Sequence, residues 1–208
     1  MAVGARIWHP DGRIQFDSSW PQKVLVEKGR ITSEAQTITL PGGRNPTVAF
    51  RPINCNACIE RQNLSGNTFS YQFVTYQRGA GYYIDYWIYD RVAPQKPAGG
   101  PGLILCDEAG NVTFSSLQTP MIYAKQNSQP AGRAYAIAPW PGPFWQQRYD
   151  DVTNSHGGID IVRTAIMGGW VFNGSTFSIQ SFGTPTDFEY NQDGSYTPGY
   201  FLVDVTNH

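Results

Sequence analysis

Cys55-Asn56-Ala57-Cys58 carries the C-x-x-C spacing of redox and zinc sites, and residues 148–158 (Arg148-Tyr149-Asp150-Asp151-Val152-Thr153-Asn154-Ser155-His156-Gly157-Gly158) gather carboxylates, a serine and a histidine. Each constellation falls short of the chemistry it hints at. A structural zinc needs four ligands, and beyond this pair the sequence offers only Cys106 and the scattered His9, His156 and His208. Three thiols cannot all pair within one chain, so Cys55 and Cys58 read as free thiols, buried or in a loop. Asp150 and Asp151 are neighbours, and neighbours on an extended chain point to opposite sides. Ser155 and His156 lack a nucleophile elbow, and the D-x-D-x-D-G order of a calcium loop is absent. The run therefore reads as a solvated loop. Glycan cleavage needs two carboxylates about 5–10 Å apart across a cleft, and Asp85, Asp107, Glu108, Asp150, Asp151, Asp160 and Glu189 show no pairing signature. The expectation is a chain that is not an enzyme and has no cofactor or metal.

Aromatic residues in turns offer binding instead. Ala138-Pro139-Trp140-Pro141-Gly142-Pro143-Phe144-Trp145 reads as a proline-stiffened loop that presents Trp140, Phe144 and Trp145 at little ordering cost. Tyr82 and Tyr83 follow the Gly79-Ala80-Gly81 turn. These five are the candidate contacts to a partner or receptor. The alternatives are rings that fill a core, anchor a neighbouring subunit or stack on sugars.

The elements that must position them are strands. With 14% aromatic residues, and 22 Gly and 15 Pro spread along 208 residues, the chain has the profile of many short strands and turns. Residues 37–40, 47–50, 134–138, 159–166, 170–172, 176–182 and 199–205 are strand candidates, with a hairpin at Asn173-Gly174 and a turn at Asp193-Gly194. Gly168-Gly169 suits a turn or loop. Residues 69–76 and 82–90, separated by Gln77-Arg78-Gly79-Ala80-Gly81, give the strongest hairpin signal. In the second of these Tyr82, Ile84, Tyr86 and Ile88 share one face and Tyr83, Asp85, Trp87 and Tyr89 the other, which predicts a central strand covered on both sides. A net charge of −1 supplies no footprint for nucleic acid. No stretch approaches the roughly 18 apolar residues that span a bilayer, and residues 1–6 lack the apolar core of a signal peptide. A chain made in a cytoplasm, without membrane insertion, is expected.

One design occurs twice. In residues 11–20 and 107–117 a glycine turn (Gly12, Gly110) is followed two positions on by a β-branched aliphatic (Ile14, Val112), four positions on by phenylalanine (Phe16, Phe114), and then by a serine pair. Each copy begins with a short apolar run (Ile7-Trp8; Leu103-Ile104-Leu105) and resumes with another (Val24-Leu25-Val26; Met121-Ile122-Tyr123). Residues 94–102, rich in Pro and Gly, stand between the copies. The predicted fold class is all-β: two antiparallel β-sandwich-like units built around the repeated hairpin, spanning 1–93 and 103–208 with 94–102 as linker.

The first copy, with its corner Phe16-Asp17-Ser18-Ser19-Trp20, resembles small tail-tip or baseplate-region proteins of long-tailed, non-contractile bacteriophages. The likeness is concentrated in residues 3–26, with a weaker echo at 103–124. It implies a virion component synthesised in the host cytoplasm. Its expected partners are other phage tail proteins, further copies of itself in a homo-oligomer, and a host surface glycan or protein receptor. It supplies no active-site residues. Within the corner, Asp17, Ser18 and Ser19 favour a bend at a strand end by bonding nearby backbone, and Trp20 is expected to plug the core beside it, with a surface contact as the alternative.

Overall fold

Alternating β-branched and aromatic residues, punctuated by Gly, Asn and Pro, form strands throughout the computed structural model. It describes residues 6–8, 14–17, 22–91, 102–107, 109–124, 131–139, 144–153, 159–174, 176–184, 195–196, 199–206 and 208. For residues 6–8, 14–17, 144–153, 159–168, 181–184 and 195–196 the strand course alone is given. Among the described residues there is no helix, and the chain is all-β. The strands are β1 (Arg6–Trp8), β2 (Ile14–Asp17), β3 (Lys23–Ile31), β4 (Ala35–Pro41), β5 (Thr47–Ile53), β6 (Asn56–Ser65), β7 (Thr68–Tyr76), β8 (Tyr83–Arg91), β9 (Ile104–Cys106) and β10 (Val112–Ser115). They continue with β11 (Ile122–Ala124), β12 (Tyr135–Pro139), β13 (Phe144–Thr153), β14 (Ile159–Phe172), β15 (Phe177–Thr184), β16 (Ser195–Tyr196) and β17 (Tyr200–Asp204).

A six-stranded antiparallel sheet runs β11-β17-β12-β5-β8-β3, and a second sheet runs β16-β13-β14-β6-β7-β4, with β15 also paired to β14. Strands from before and after residues 94–102 are hydrogen-bonded in both: β5 to β12 at Phe50↔Ile137, and β6 to β14 at Ala57↔Trp170. The six-stranded sheet curls until its ends meet. Residues 119–121 bond β3 (Leu25 N to Thr119 O and Met121 N to Lys23 O, both 2.8 Å), and the same segment continues as β11, which pairs β17.

Period two then divides the side chains between two cores. Ala49, Trp87, Tyr89, Met121, Ala136, Ala138, Val203 and Val205 fill the inside of the curl. Val48, Phe50, Ile84, Tyr86, Ile88, Ile137 and Leu202 face outward and pack on Ile38, Ala57, Tyr71, Phe73 and Trp170 of the second sheet. Phe50 and Phe73 meet edge to face across this boundary at 5.7 Å. Burying such a ring contributes about 1.5–3 kcal/mol.

The two hairpin copies take the same form. In β1–β2 the register is Arg6↔Asp17, Ile7↔Phe16, Trp8↔Ile14, and in β9–β10 it is Ile104↔Ser115, Leu105↔Phe114, Cys106↔Val112. Each pairing slips by one residue at the equivalent place, passing over Gln15 and Thr113. The bulge gives the second copy its attachment: Thr113 O accepts from Gln22 N at 3.1 Å, and Val112 and Ile104 pack on Val24 of β3. Ser18, Ser19 and Trp20 lie outside the described residues.

Several expectations need correction. β7 and β8 do not form a hairpin: β7 pairs β4 and β6, β8 pairs β3 and β5, and residues 77–82 carry the chain from one sheet to the other. Residues 159–166 and 170–172 belong to one strand, β14, and Gly168-Gly169 lies inside it. At Gly169 a Cβ would stand 3.2 Å from Ala57 N and 3.3 Å from Ala57 O, so this glycine permits close strand approach rather than a turn. Phe144 and Trp145 are not in a loop; they open β13, where they pair Gly168 and Met167. Residues 148–153 of the expected solvated loop continue that strand, with Asp150↔Val162 and Asp151↔Ile161. The long ladder to β14 holds this polar run extended. The central placement of β8 is as expected, and so is the Asn173-Gly174 turn, where Gly174 has φ 92° and Asn173 Oδ1 accepts from Thr176 N at 2.9 Å.

Candidate functional site

The crossover loop 77–82 brings polar and aromatic side chains together. It lies beside the short connection between β5 and β6, and the two brace each other. Gly79 N donates to Asn54 O at 2.7 Å, Asn54 Nδ2 to Ala80 O at 3.3 Å, and Asn56 Nδ2 to Gln77 Oε1 at 2.7 Å. Asn54 and Gln77 both hold positive φ (53° and 45°), a conformation asparagine tolerates and most side chains avoid. The bends fix where the next side chains emerge.

Tyr82 and Tyr83 come out under guanidinium groups. The Arg78 guanidinium lies 5.6 Å from the Tyr82 ring centre and also pairs Glu34 at 2.9 Å, and the Arg30 guanidinium lies 3.8 Å from the Tyr83 ring centre. Arg30 grips Asp85 with two bonds, Nε to Oδ1 at 2.7 Å and NH2 to Oδ2 at 3.3 Å. Arg51 reaches the same Oδ2 at 3.3 Å, with its guanidinium 5.7 Å from the Trp87 ring and 6.0 Å from that of Phe172. The Arg51 Nε is buried without a hydrogen-bond partner. Three arginines and two carboxylates leave the cluster net positive. Hydrogen bonding to Asp85 raises the Arg30 pKa, and hydrogen bonding to Glu34 raises that of Arg78. Both stay charged.

This arrangement suits recognition. Its carboxylates are tied to arginines, and each tyrosine has a ring face already covered by a cation. The nearby thiols are held protonated: burial pushes Cys55 up to about 11 and Cys58 up to about 12, the second aided by Glu60. Cys55 Sγ sits 3.7 Å from Tyr83 O. Both are free and buried, the first of the two placements the sequence left open, and thiols in that state are poor nucleophiles and metal ligands.

Of the five expected contacts, the structure brings Tyr82 and Tyr83 into this site. Phe144 and Trp145 are given as strand backbone, and Trp140 lies outside the described residues. Sequence reasoning did not single out Arg30, Arg51 or Arg78. The signal was Asp85, the one charge in Tyr82-Tyr83-Ile84-Asp85-Tyr86-Trp87, because a carboxylate in a covered strand requires a cation. A second aromatic pair, Tyr123 and Phe201, meets edge to face at 5.7 Å with both residues exposed. No protein-family model, curated protein or solved structure matches the chain.

Proposed function

We propose that the chain is a non-enzymatic structural component of the tail tip or baseplate of a long-tailed, non-contractile bacteriophage, acting in tail assembly alongside other tail proteins and further copies of itself. The observation that carries the reading is the twin hairpin. The segment that resembles such tail proteins adopts the same bulged register as its later copy, and the second copy serves as a packing module on β3. Mass spectrometry of purified particles tests the proposal: the chain belongs among the virion proteins at a fixed stoichiometry, and finding it only in the infected-cell lysate would defeat the reading.

A receptor-binding role in the same tail is the second reading, favoured by the Arg78–Tyr82 and Arg30–Tyr83 stacks beside an exposed loop. The ligand chemistry they fit is a carboxylate next to a flat face. Particles carrying Arg78→Ala with Tyr82→Ala then adsorb poorly to host cells while assembling normally; unchanged adsorption removes this reading and leaves the structural one standing.

A further inference from the structure

Strand β4 is the outer strand of the second sheet, bonded among the described residues to β7 alone. Glu34 O accepts from Thr75 N at 2.9 Å, and 34↔75 continues the β4–β7 register, so this is a hydrogen-bonded pair. Antiparallel ladders alternate. The backbone groups of Gln36, Ile38 and Leu40 therefore turn toward β7, and those of Ala35, Thr37 and Thr39 toward the open side. Ile38 is buried and Leu40 half-buried, whereas Ala35, Gln36, Thr37 and Thr39 are exposed. Sheet edges are commonly blunted by charge, proline or a bulge. Residues 35–40 (Ala-Gln-Thr-Ile-Thr-Leu) carry no charge and no proline, and their register with β7 runs without a slip. In the six-stranded sheet, residues 119–121 bond β3 at Lys23–Leu25, and the rest of β3 carries Glu27, Lys28 and Arg30 after a register slip at Leu25/Glu27, features that blunt an edge.

We propose that β4 is a homodimerisation edge, to which a second copy's β4 adds antiparallel about a two-fold axis at Ile38. The strand is self-complementary. The two inner positions with outward N–H and C=O groups, Thr37 and Thr39, are equidistant from Ile38, so each Thr37 exchanges both backbone bonds with the second copy's Thr39. Their side chains form threonine pairs on the exposed face, a favourable cross-strand combination. Ala35 then meets the second copy's Pro41, which has no N–H, and the pairing stops there. Charge agrees: the exposed Glu34 comes alongside the second copy's Gly42-Gly43-Arg44 turn, where Arg44 is exposed. Strand addition at an open edge draws its affinity from such main-chain bonds. The inference stands on strand geometry and is independent of the tail reading.

Sedimentation equilibrium of the purified chain tests it. The expected result is a dimer at micromolar concentration. Thr39→Pro removes an outward N–H and no bond to β7, a position where an edge strand tolerates proline, and it weakens the dimer at least about tenfold; Thr39→Val leaves it intact. Thr37→Lys with Thr39→Lys, which keeps every backbone group but sets four lysines together, also yields monomer, with an unchanged circular dichroism spectrum confirming the fold. A wild-type chain that stays monomeric, or a dimer that survives both the proline and the lysine variants, overturns the proposal.

Discussion

At the scale of single residues, Asp85 decides the candidate site. It is 13% exposed and neutralises Arg30, itself 55% exposed, and the more buried Arg51. Asp85→Ala strands Arg51 between Trp87 and Phe172 with Nε and NH2 both unpartnered, and is expected to lower stability by about 1–3 kcal/mol in urea denaturation. Arg30→Ala costs less, since an exposed pair is screened by water. Gly29 is equally constrained: a Cβ there would stand 2.6 Å from the Tyr86 hydroxyl, which donates to Glu27 Oε1 at 2.9 Å. Gly29→Ala displaces that ring and is expected to cost about 1–3 kcal/mol. Tyr89 and His208 give a pH dependence. The Tyr89 hydroxyl and His208 Nδ1 share a hydrogen bond of 2.6 Å, burial raises the Tyr89 pKa, and burial lowers the His208 pKa below its ordinary value of 6.5. The unfolded chain then takes up the proton first as pH falls. This contribution is whole above 6.5, declines below it, and levels off under the folded pKa. Thermal melts between about pH 7.5 and 5 should show a decline that His208→Gln flattens.

Among elements, strands were more legible than their partners. The alternation in Tyr82-Tyr83-Ile84-Asp85-Tyr86-Trp87-Ile88-Tyr89 places β8 between β5 and β3, with Ile84, Tyr86 and Ile88 in one core and Trp87 and Tyr89 in the other. Period two reports which face a side chain takes and nothing about the neighbouring strand, which is why β7 and β8 read as a hairpin although a six-residue loop takes them into different sheets. The arginines of the site were hidden for a related reason: Arg30, Arg51 and Arg78 come from separate parts of the chain and converge only through sheet register. The repeated hairpin was legible, because Gly, β-branched residue and Phe at fixed offsets encode a local structure; its bulge was not, and shows only in the register that passes over Gln15 and Thr113. The strands that follow the two copies meet antiparallel at Val24↔Pro120, closing the six-stranded sheet. Val112→Ala, which thins the contact with Val24, should cost about 1–2 kcal/mol and loosen residues 119–121 first. Hydrogen exchange checks this, with the amides of β8 remaining the most protected and the outward amides of β4 exchanging early in monomer.

Over the whole molecule, two cores share one set of strands. The inner face of the curled sheet closes on Trp87, Tyr89 and Met121, and its outer face joins the second sheet through Phe50, Phe73 and Trp170, so the inner strands carry apolar residues on both sides. A destabilising change in one core should therefore lower the stability of both, and a single cooperative transition is expected by near-ultraviolet circular dichroism and by tryptophan fluorescence alike. Among the described residues β4 and β15 are outer strands of the second sheet, each bonded to one neighbour, and of these the sequence of β4 is the self-complementary one on which the proposed dimer rests. The proposed tail role is tested most directly by an image reconstruction of the virion to which the proposal assigns this chain. The account predicts density for the paired sheets and both hairpins at the tail tip or baseplate, in contact with neighbouring tail proteins. Particles complete and infectious without this density would contradict it.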